Sequence, residues 1–249
     1  MAKDNYILVN NDNPYNPENY LNSEMVTIQI PVWSDKELVE GDVVHIDDKG
    51  KKWVETYIEK STYESFLQLQ QLARDKYGLE IEIIEAGRTL SKQDKYFQNA
   101  VEDKGKEYAD AYVAKPGYSE HHTGYALDYS LRMPRVRNIK NPKLKNIVYK
   151  VKKPIAFAMV NNEAAKLGLV LRYPKFGKRY TGYNHERWHL SNVGDPILAS
   201  YLRAHNMPLE YFYANASKLE KSYERFAENF VLNHPDFVEP DDGEEMGDK

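Results

Sequence analysis

Four short strand-like runs, set among helical segments in no regular order, limit this chain to a small set of folds. Leu79 to Glu85 alternates apolar and charged residues, the period-two pattern of a half-buried strand. Ala126 to Leu131, Leu169 to Tyr173 and Glu186 to Leu190 read as three more strands. Ser61-Thr-Tyr-Glu64 reads as a capping box that opens a helix carrying Phe66, Leu69, Leu72 and Ala73 at helical spacing, with Gly78 as its stop. Ser91 is the expected cap of a second helix, with Phe97, Ala100 and Val101 on its apolar side. Pro154 stands at a first-turn position of a third, whose Phe157, Val160, Ala164 and Leu167 face inward before Gly168. Asp195-Pro196 opens another helix, and Leu219 to Leu232 forms a last one. Strands and helices mix without a βαβ rhythm, so the expected class is α+β: a single domain with a small antiparallel sheet flanked by helices.

The 249 residues fit one domain of ordinary size with additions at its ends. The net charge of -4 exerts no global pull on nucleic acid or anionic membrane. The acidity is concentrated in Glu239 to Lys249, a stretch with Pro, Gly and few apolar groups that is expected to stay disordered. Between Asp128 and Glu163 there is no acid at all, and Arg132, Arg135, Arg137, Lys140, Lys143, Lys145, Lys150, Lys152 and Lys153 fill the gap. That run reads either as a solvated loop and helix start or as a contact for a wall polyanion through 132–153; few aromatics interleave it, which argues against nucleic acid. No apolar run reaches the roughly 18 residues of a membrane span, and the first ten residues carry no signal-peptide core. The chain is therefore cytoplasmic, or a native export or anchor segment has been removed.

With no cysteine, a metal site here must be built from His, Asp and Glu. Two segments offer that kit: Ser119-Glu-His-His-Thr-Gly-Tyr-Ala-Leu-Asp128 and Glu186-Arg-Trp-His189. Three protein ligands and one open position make a catalytic rather than a structural zinc, and a spare carboxylate can serve as the base. His185-Glu-Arg-Trp-His189 also matches H-E-x-x-H, but that motif needs a helix, and Thr181-Gly-Tyr-Asn184 before it and Ser191-Asn-Val-Gly194 after it favour a strand. In that H-E-x-x-H reading Glu210 would be the third ligand. In the two-segment reading Ala126 and Asp128 share a strand face, and small Gly124 and Ala126 let backbone approach. From the residues alone, His121 and His122 are interchangeable, and Asp128 is equally a turn or cap residue.

The joint pattern Ser119-x-His121-x-x-Gly124-x-Ala126-x-Asp128, with Glu186-x-Trp188-His189-Leu190, resembles the zinc D-Ala-D-Ala carboxypeptidase family, of the vancomycin-resistance D,D-carboxypeptidase and L,D-carboxypeptidase type. Ile7-Leu-Val-Asn10, Gly87-Arg88-Thr89 with Gln93, Leu171-Arg-Tyr-Pro174, Thr181-Gly182 and Val193-Gly194 also fall in family order. The resemblance spans about Tyr6 to Phe212. Three departures stand out: Arg187 where a proline is usual, Ser191-Asn192 where Arg-Tyr is common, and Ala86 where a serine is frequent.

The resemblance implies His121, Asp128 and His189 as ligands of Zn2+ in a cleft on the sheet. It implies Glu186 as the base, Arg88 as the group that polarises the scissile carbonyl or holds the oxyanion, and Ser119 and Gln93 as grips on the terminal D-alanine. His122 and His185 are not implied as ligands. It further implies hydrolysis of C-terminal D-alanine from peptidoglycan stem peptides, D,D or L,D, in cell-wall remodelling, and action outside the cytoplasm in a bacterial cell envelope. An endopeptidase of the same fold and a non-catalytic zinc-containing wall-binding module are the alternatives. The organisation expected is an extended arm over 1–22, a catalytic domain over 23–214, a helical extension over 215–238 and the acidic tail over 239–249.

Overall fold

A computed structural model describes residues 8–35, 38–133 and 142–235, without the side chains of 142–151. Two antiparallel sheets and eight helices are present among them. The first sheet joins β1 (Met25–Pro31), β2 (Val44–Ile46) and β3 (Lys52–Glu59) in the order β1-β3-β2. It is absent from the expectations above, and β2 shows why: its three residues are all exposed and carry no burial pattern. The second sheet contains the four expected strands, β4 (Glu80–Glu85), β5 (Ala126–Arg132), β6 (Leu169–Tyr173) and β7 (Glu186–Asn192), in the order β4-β5-β7-β6.

β3 runs straight into α1 (Lys60–Tyr77), so the helix starts earlier than the capping box predicts. Its cap is Glu59, whose Oε2 accepts from the Thr62 amide at 2.9 Å, while Ser61 donates to the same oxygen at 2.6 Å. Likewise α2 (Leu90–Lys104) is capped by Thr89 rather than Ser91, because the Thr89 hydroxyl reaches the Lys92 amide. The third expected helix is longer than predicted: α4 spans Pro142–Ala165 and encloses Pro154. The favoured first-turn place for proline is taken by Pro142 instead. Short helices α3 (Lys106–Tyr112), α5 (Lys178–Thr181) and α7 (Leu209–Ala214) had no clear periodicity to announce them. α6 (Pro196–His205) is capped by Asp195 as expected, and α8 covers Ala216–Asn233.

Among the described residues apolar side chains form two clusters. The larger gathers Ile58, Phe66, Leu69, Leu127, Tyr129, Phe157, Val160 and Leu190 between the sheets, α1 and α4. The other lies under α6 to α8, where Val170, Leu198, Tyr201, Leu202 and Phe212 are covered by Tyr223 and Phe226 of α8. Fully burying one such side chain contributes about 1.5–3 kcal/mol, so α8 is held by tertiary packing. No helix among the described residues is long and apolar enough to cross a membrane. The acidic tail and residues 134–141 of the basic stretch expected to meet a polyanion lie outside the described residues, as do the side chains of 142–151; Arg132, at its start, is exposed and 3.9 Å from Glu80.

Candidate active site

The site begins as strand register. β5 and β7 pair with Asp128 opposite His189, and β4 pairs with β5 so that Glu85 stands opposite Asp128 across a bulge after Ile83. Residues directly opposite in an antiparallel pair project to the same face, so Glu85, Asp128 and His189 form one row. His121 enters from the side on a 3-10 turn, Glu120–Thr123. Ser119 caps that turn, its Oγ accepting from the His121 amide at 3.4 Å, and Gly124 closes it at φ 76°. A side chain at Gly124 would strike Met25 of β1, so the first sheet backs the turn.

Asp128 Oδ1 lies 2.9 Å from His189 Nδ1 and 3.6 Å from His121 Nε2. One ligand atom from each of the three residues falls within 4.8 Å of the others. Tetrahedral zinc with bonds of about 2.0–2.1 Å holds its ligands about 3.3 Å apart, a value that the two Asp128 separations of 2.9 and 3.6 Å bracket. The Asp128 Oδ1 atom is buried without a hydrogen-bond partner, as a ligand oxygen awaiting a cation would be. His121 donates through Nδ1 to the Ala86 carbonyl, 2.7 Å away. Since a carbonyl only accepts, Nδ1 carries the proton and Nε2 offers its lone pair to the cluster.

The electrostatics favour a cation. Burial works to depress His189, but Asp128, Glu120 and Glu186 outweigh it and lift the imidazole to about 9. Burial works to raise Asp128, and the two imidazoles outweigh it, holding the carboxyl far below the usual range. Glu186, on β7, places Oε2 3.9 Å from His189 Nδ1 without joining the three-atom cluster. Burial, helped by Asp128 and opposed by His189 and Arg88, pushes it up to about 7.

The guanidinium of Arg88 is held through its two terminal nitrogens, while Nε is buried without a hydrogen-bond partner. Arg88 lies in the loop after β4, donates to Gln93 Oε1 at 2.8 Å, pairs with Glu85 at 3.2 Å, and stacks over Tyr96 at 4.5 Å from the ring centroid. Gln93 is fully buried and donates onward to the Ala114 carbonyl at 2.6 Å. Its amide thus sets the guanidinium in place. The loop itself is pinned where the Tyr57 hydroxyl and His122 Nδ1 both reach the Arg88 carbonyl, at 3.0 and 2.6 Å. A Cβ on Gly87 would come within 2.4 Å of the Tyr57 ring and carbonyl, so only glycine fits there.

His121, Asp128, His189, Glu186, Arg88, Gln93 and Ser119 all line one cleft of about 540 Å³, together with Tyr173, Tyr183 and Trp188. Ile30 of β1 and Val32 and Trp33 of the loop after it also line the cleft. His122 turns away; its two ring nitrogens meet the Arg88 carbonyl and the Gly117 amide. His185 bonds the Tyr173 carbonyl at 2.8 Å. Because β7 is a strand, His185 and His189 do not share a helix face, and the H-E-x-x-H reading fails. Glu210, its third ligand, is instead paired with Arg172.

Sequence reasoning missed that pair and what it supports. Arg172 is fully buried on β6; it donates through Nε to Glu120 Oε1 at 2.5 Å and through its fork to both Glu210 oxygens at 2.9 and 2.6 Å. Burial would raise Glu120, but Arg172 and His189 hold its carboxyl well below the usual range. The signal was present: an arginine inside the apolar run Leu169 to Tyr173 must find acids to be buried at all.

A family model described as VanY, D-alanyl-D-alanine carboxypeptidase, matches residues 55–195. The protein YodJ of Bacillus subtilis (strain 168) is 30% identical over 206 residues, which are 82% of this chain and 70% of that one. The solved structure of the LdcB LD-carboxypeptidase is similar with a TM-score of 0.50 and 29% identity, over 64% of this chain and 69% of that chain. A variant of the vancomycin-resistance D,D-pentapeptidase VanY, solved in complex with Zn(II), shares the fold with a TM-score of 0.53 and 23% identity, over 83% of this chain and 97% of that chain. Over most of its length, including all three residues of the His-Asp-His cluster, this chain belongs to the VanY family of D-alanyl-D-alanine carboxypeptidases.

Proposed function

We propose that the chain is a zinc-dependent carboxypeptidase that removes C-terminal D-alanine from peptidoglycan stem peptides during cell-wall remodelling, outside the cytoplasm. The observation that carries this reading is the convergence of His121 Nε2, Asp128 Oδ1 and His189 Nδ1 in the cleft that also holds Glu186 and Arg88. Those three residues would hold the metal. When bound, zinc acts as a Lewis acid and lowers the pKa of a coordinated water to about 7.

The other residues have separate tasks. Glu186 takes the proton of the attacking water and returns it to the departing amine nitrogen as the C–N bond breaks. Burial raises its pKa above the ordinary carboxylate value, which favours a group that must give back the proton it accepts. Arg88 offers a fixed cation to the developing oxyanion, an interaction typically worth about 3–4 kcal/mol for one preorganised donor. Gln93 contributes to the substrate's grip by orienting Arg88, and Ser119 shapes the turn that presents His121 at the cleft wall. The wall-polyanion contact expected of 132–153 has no support among the described side chains and forms no part of this proposal.

The test is mass spectrometry of synthetic tetrapeptide and pentapeptide stems incubated with the protein. Loss of one D-alanine is expected, stopping with a chelator and returning with added zinc. The peptide that is trimmed then decides between L,D and D,D activity. A cut inside the peptide would replace this reading with an endopeptidase, and no cleavage of either stem by zinc-loaded protein would replace it with a wall-binding module.

A further inference from the structure

Behind the metal cluster a chain of buried charge leads from His189 to the C-terminal part of the molecule. His189 turns Nδ1 toward Asp128, so its other nitrogen, Nε2, points the opposite way; it is buried, makes no hydrogen bond, and has the Glu120 carboxylate facing it with Oε2 3.5 Å away. An imidazole presents a lone pair to a metal through one nitrogen only when the other keeps its proton, and an acceptor on the far side fixes that choice and the ring's orientation. Glu120 is the acid on that side.

Glu120 is itself immobilised. Ser191 Oγ donates to its Oε2 at 2.5 Å, and Arg172 Nε donates to its Oε1. Ser191 lies on β7 two residues after His189 and so projects from the same strand face. Arg172 is held in turn by Glu210 through a two-pronged pair, a geometry that fixes the plane of the guanidinium as well as its position. Asn10 donates to Glu210 at 3.2 Å. Glu210 and Asn10 both lie outside the family match over 55–195, so flanking segments of the chain complete the support.

We infer that Glu120 is a positioning residue for the metal ligand His189, and that Glu210 of α7 is its remote anchor, acting through Arg172. The inference rests on the metal reading of His121, Asp128 and His189 given above. It assigns α7 a role in holding metal, which packing alone would not give it. A purely structural network would lower stability when broken and leave metal affinity unchanged.

The experiment compares zinc affinity, by competition with a chromophoric chelator, in wild type and in Glu120→Gln, Ser191→Ala and Glu210→Gln. Thermal unfolding of the metal-free proteins is recorded in parallel. Loss of a partner behind a ligating histidine typically weakens metal binding about 10–100-fold, and that is expected for Glu120→Gln. Ser191→Ala removes one hydrogen bond without stranding a charge and is expected to fold, with a smaller loss of the same sign. Tyr201→Phe, which removes a hydrogen bond to Ser222 in the other core cluster, is the control and should bind zinc as wild type does. Wild-type zinc affinity in both Glu120→Gln and Ser191→Ala, whatever their unfolding temperatures, overturns the inference. A wild-type protein that binds zinc but trims no peptide overturns the proposed function and leaves this inference standing.

Discussion

Glu186→Gln is expected to slow D-alanine release by about 10²–10⁴-fold, the range that a positioned acid–base group contributes, while zinc affinity stays close to wild type. The amide keeps the shape of the side chain and abolishes its proton exchange. The geometry separates the two readouts: Glu186 Oε2 is 3.9 Å from His189 Nδ1, whereas Asp128 Oδ1 is 2.9 Å from it. The first belongs to the cleft wall and the second to the cluster. Steady-state release of D-alanine, beside a zinc titration of the same preparation, measures both. A variant that turns over at the wild-type rate would remove Glu186 from the mechanism. A variant that has lost zinc would make it a ligand instead.

Arg172→Met is expected to destabilise the metal-free protein by about 3–5 kcal/mol, because it strands the buried charge of Glu120 and the partly buried charge of Glu210 without their partner. For a chain of this size each kcal/mol moves the midpoint by about 2–4 °C, so thermal unfolding should fall by roughly 6–20 °C. Metal-free protein is the right sample, since bound zinc would add its own stabilisation by mass action. Arg172→Lys should recover only part of the loss: it restores one positive charge and cannot reach Glu120 while bridging both oxygens of Glu210. A midpoint unchanged in Arg172→Met would mean that water or a neighbour can replace the guanidinium, and the side chain's full burial would then have no energetic weight.

The difference between what the sequence made legible and what it hid follows from range. The four strands of the second sheet could be read because each is short, apolar on at least one face and bounded by turn residues. Asp128 and His189 could be paired in advance because family spacing carried them together, and the register then places them opposite one another. The first sheet could not be read, since its middle strand is closed by an exposed three-residue strand and by Met25–Pro31, which buries only its last two residues. The helix caps went astray by two residues for a related reason. A capping side chain competes with its neighbours, and Glu59 and Thr89 are better placed than Ser61 and Ser91. Glu120 was the costliest omission. Beside His121 in a polar segment it looks like a solvated acid, and only the approach of β6 from far along the chain encloses it.

The register that sets Asp128 against His189 also orders events in time. The two residues come from strands separated by α4, β6 and α5, so no local stretch of the unfolded chain can bring His189 to His121 and Asp128. Such a long-range pairing pays its loop-closure cost before any contact rewards it. In the proposed site the full three-ligand set exists only after the sheet has closed, so a bound metal would act as a late latch rather than a nucleus. A latch of that kind would leave the speed of folding untouched and act on the escape rate: a metal-loaded molecule would gain its lifetime by opening more slowly.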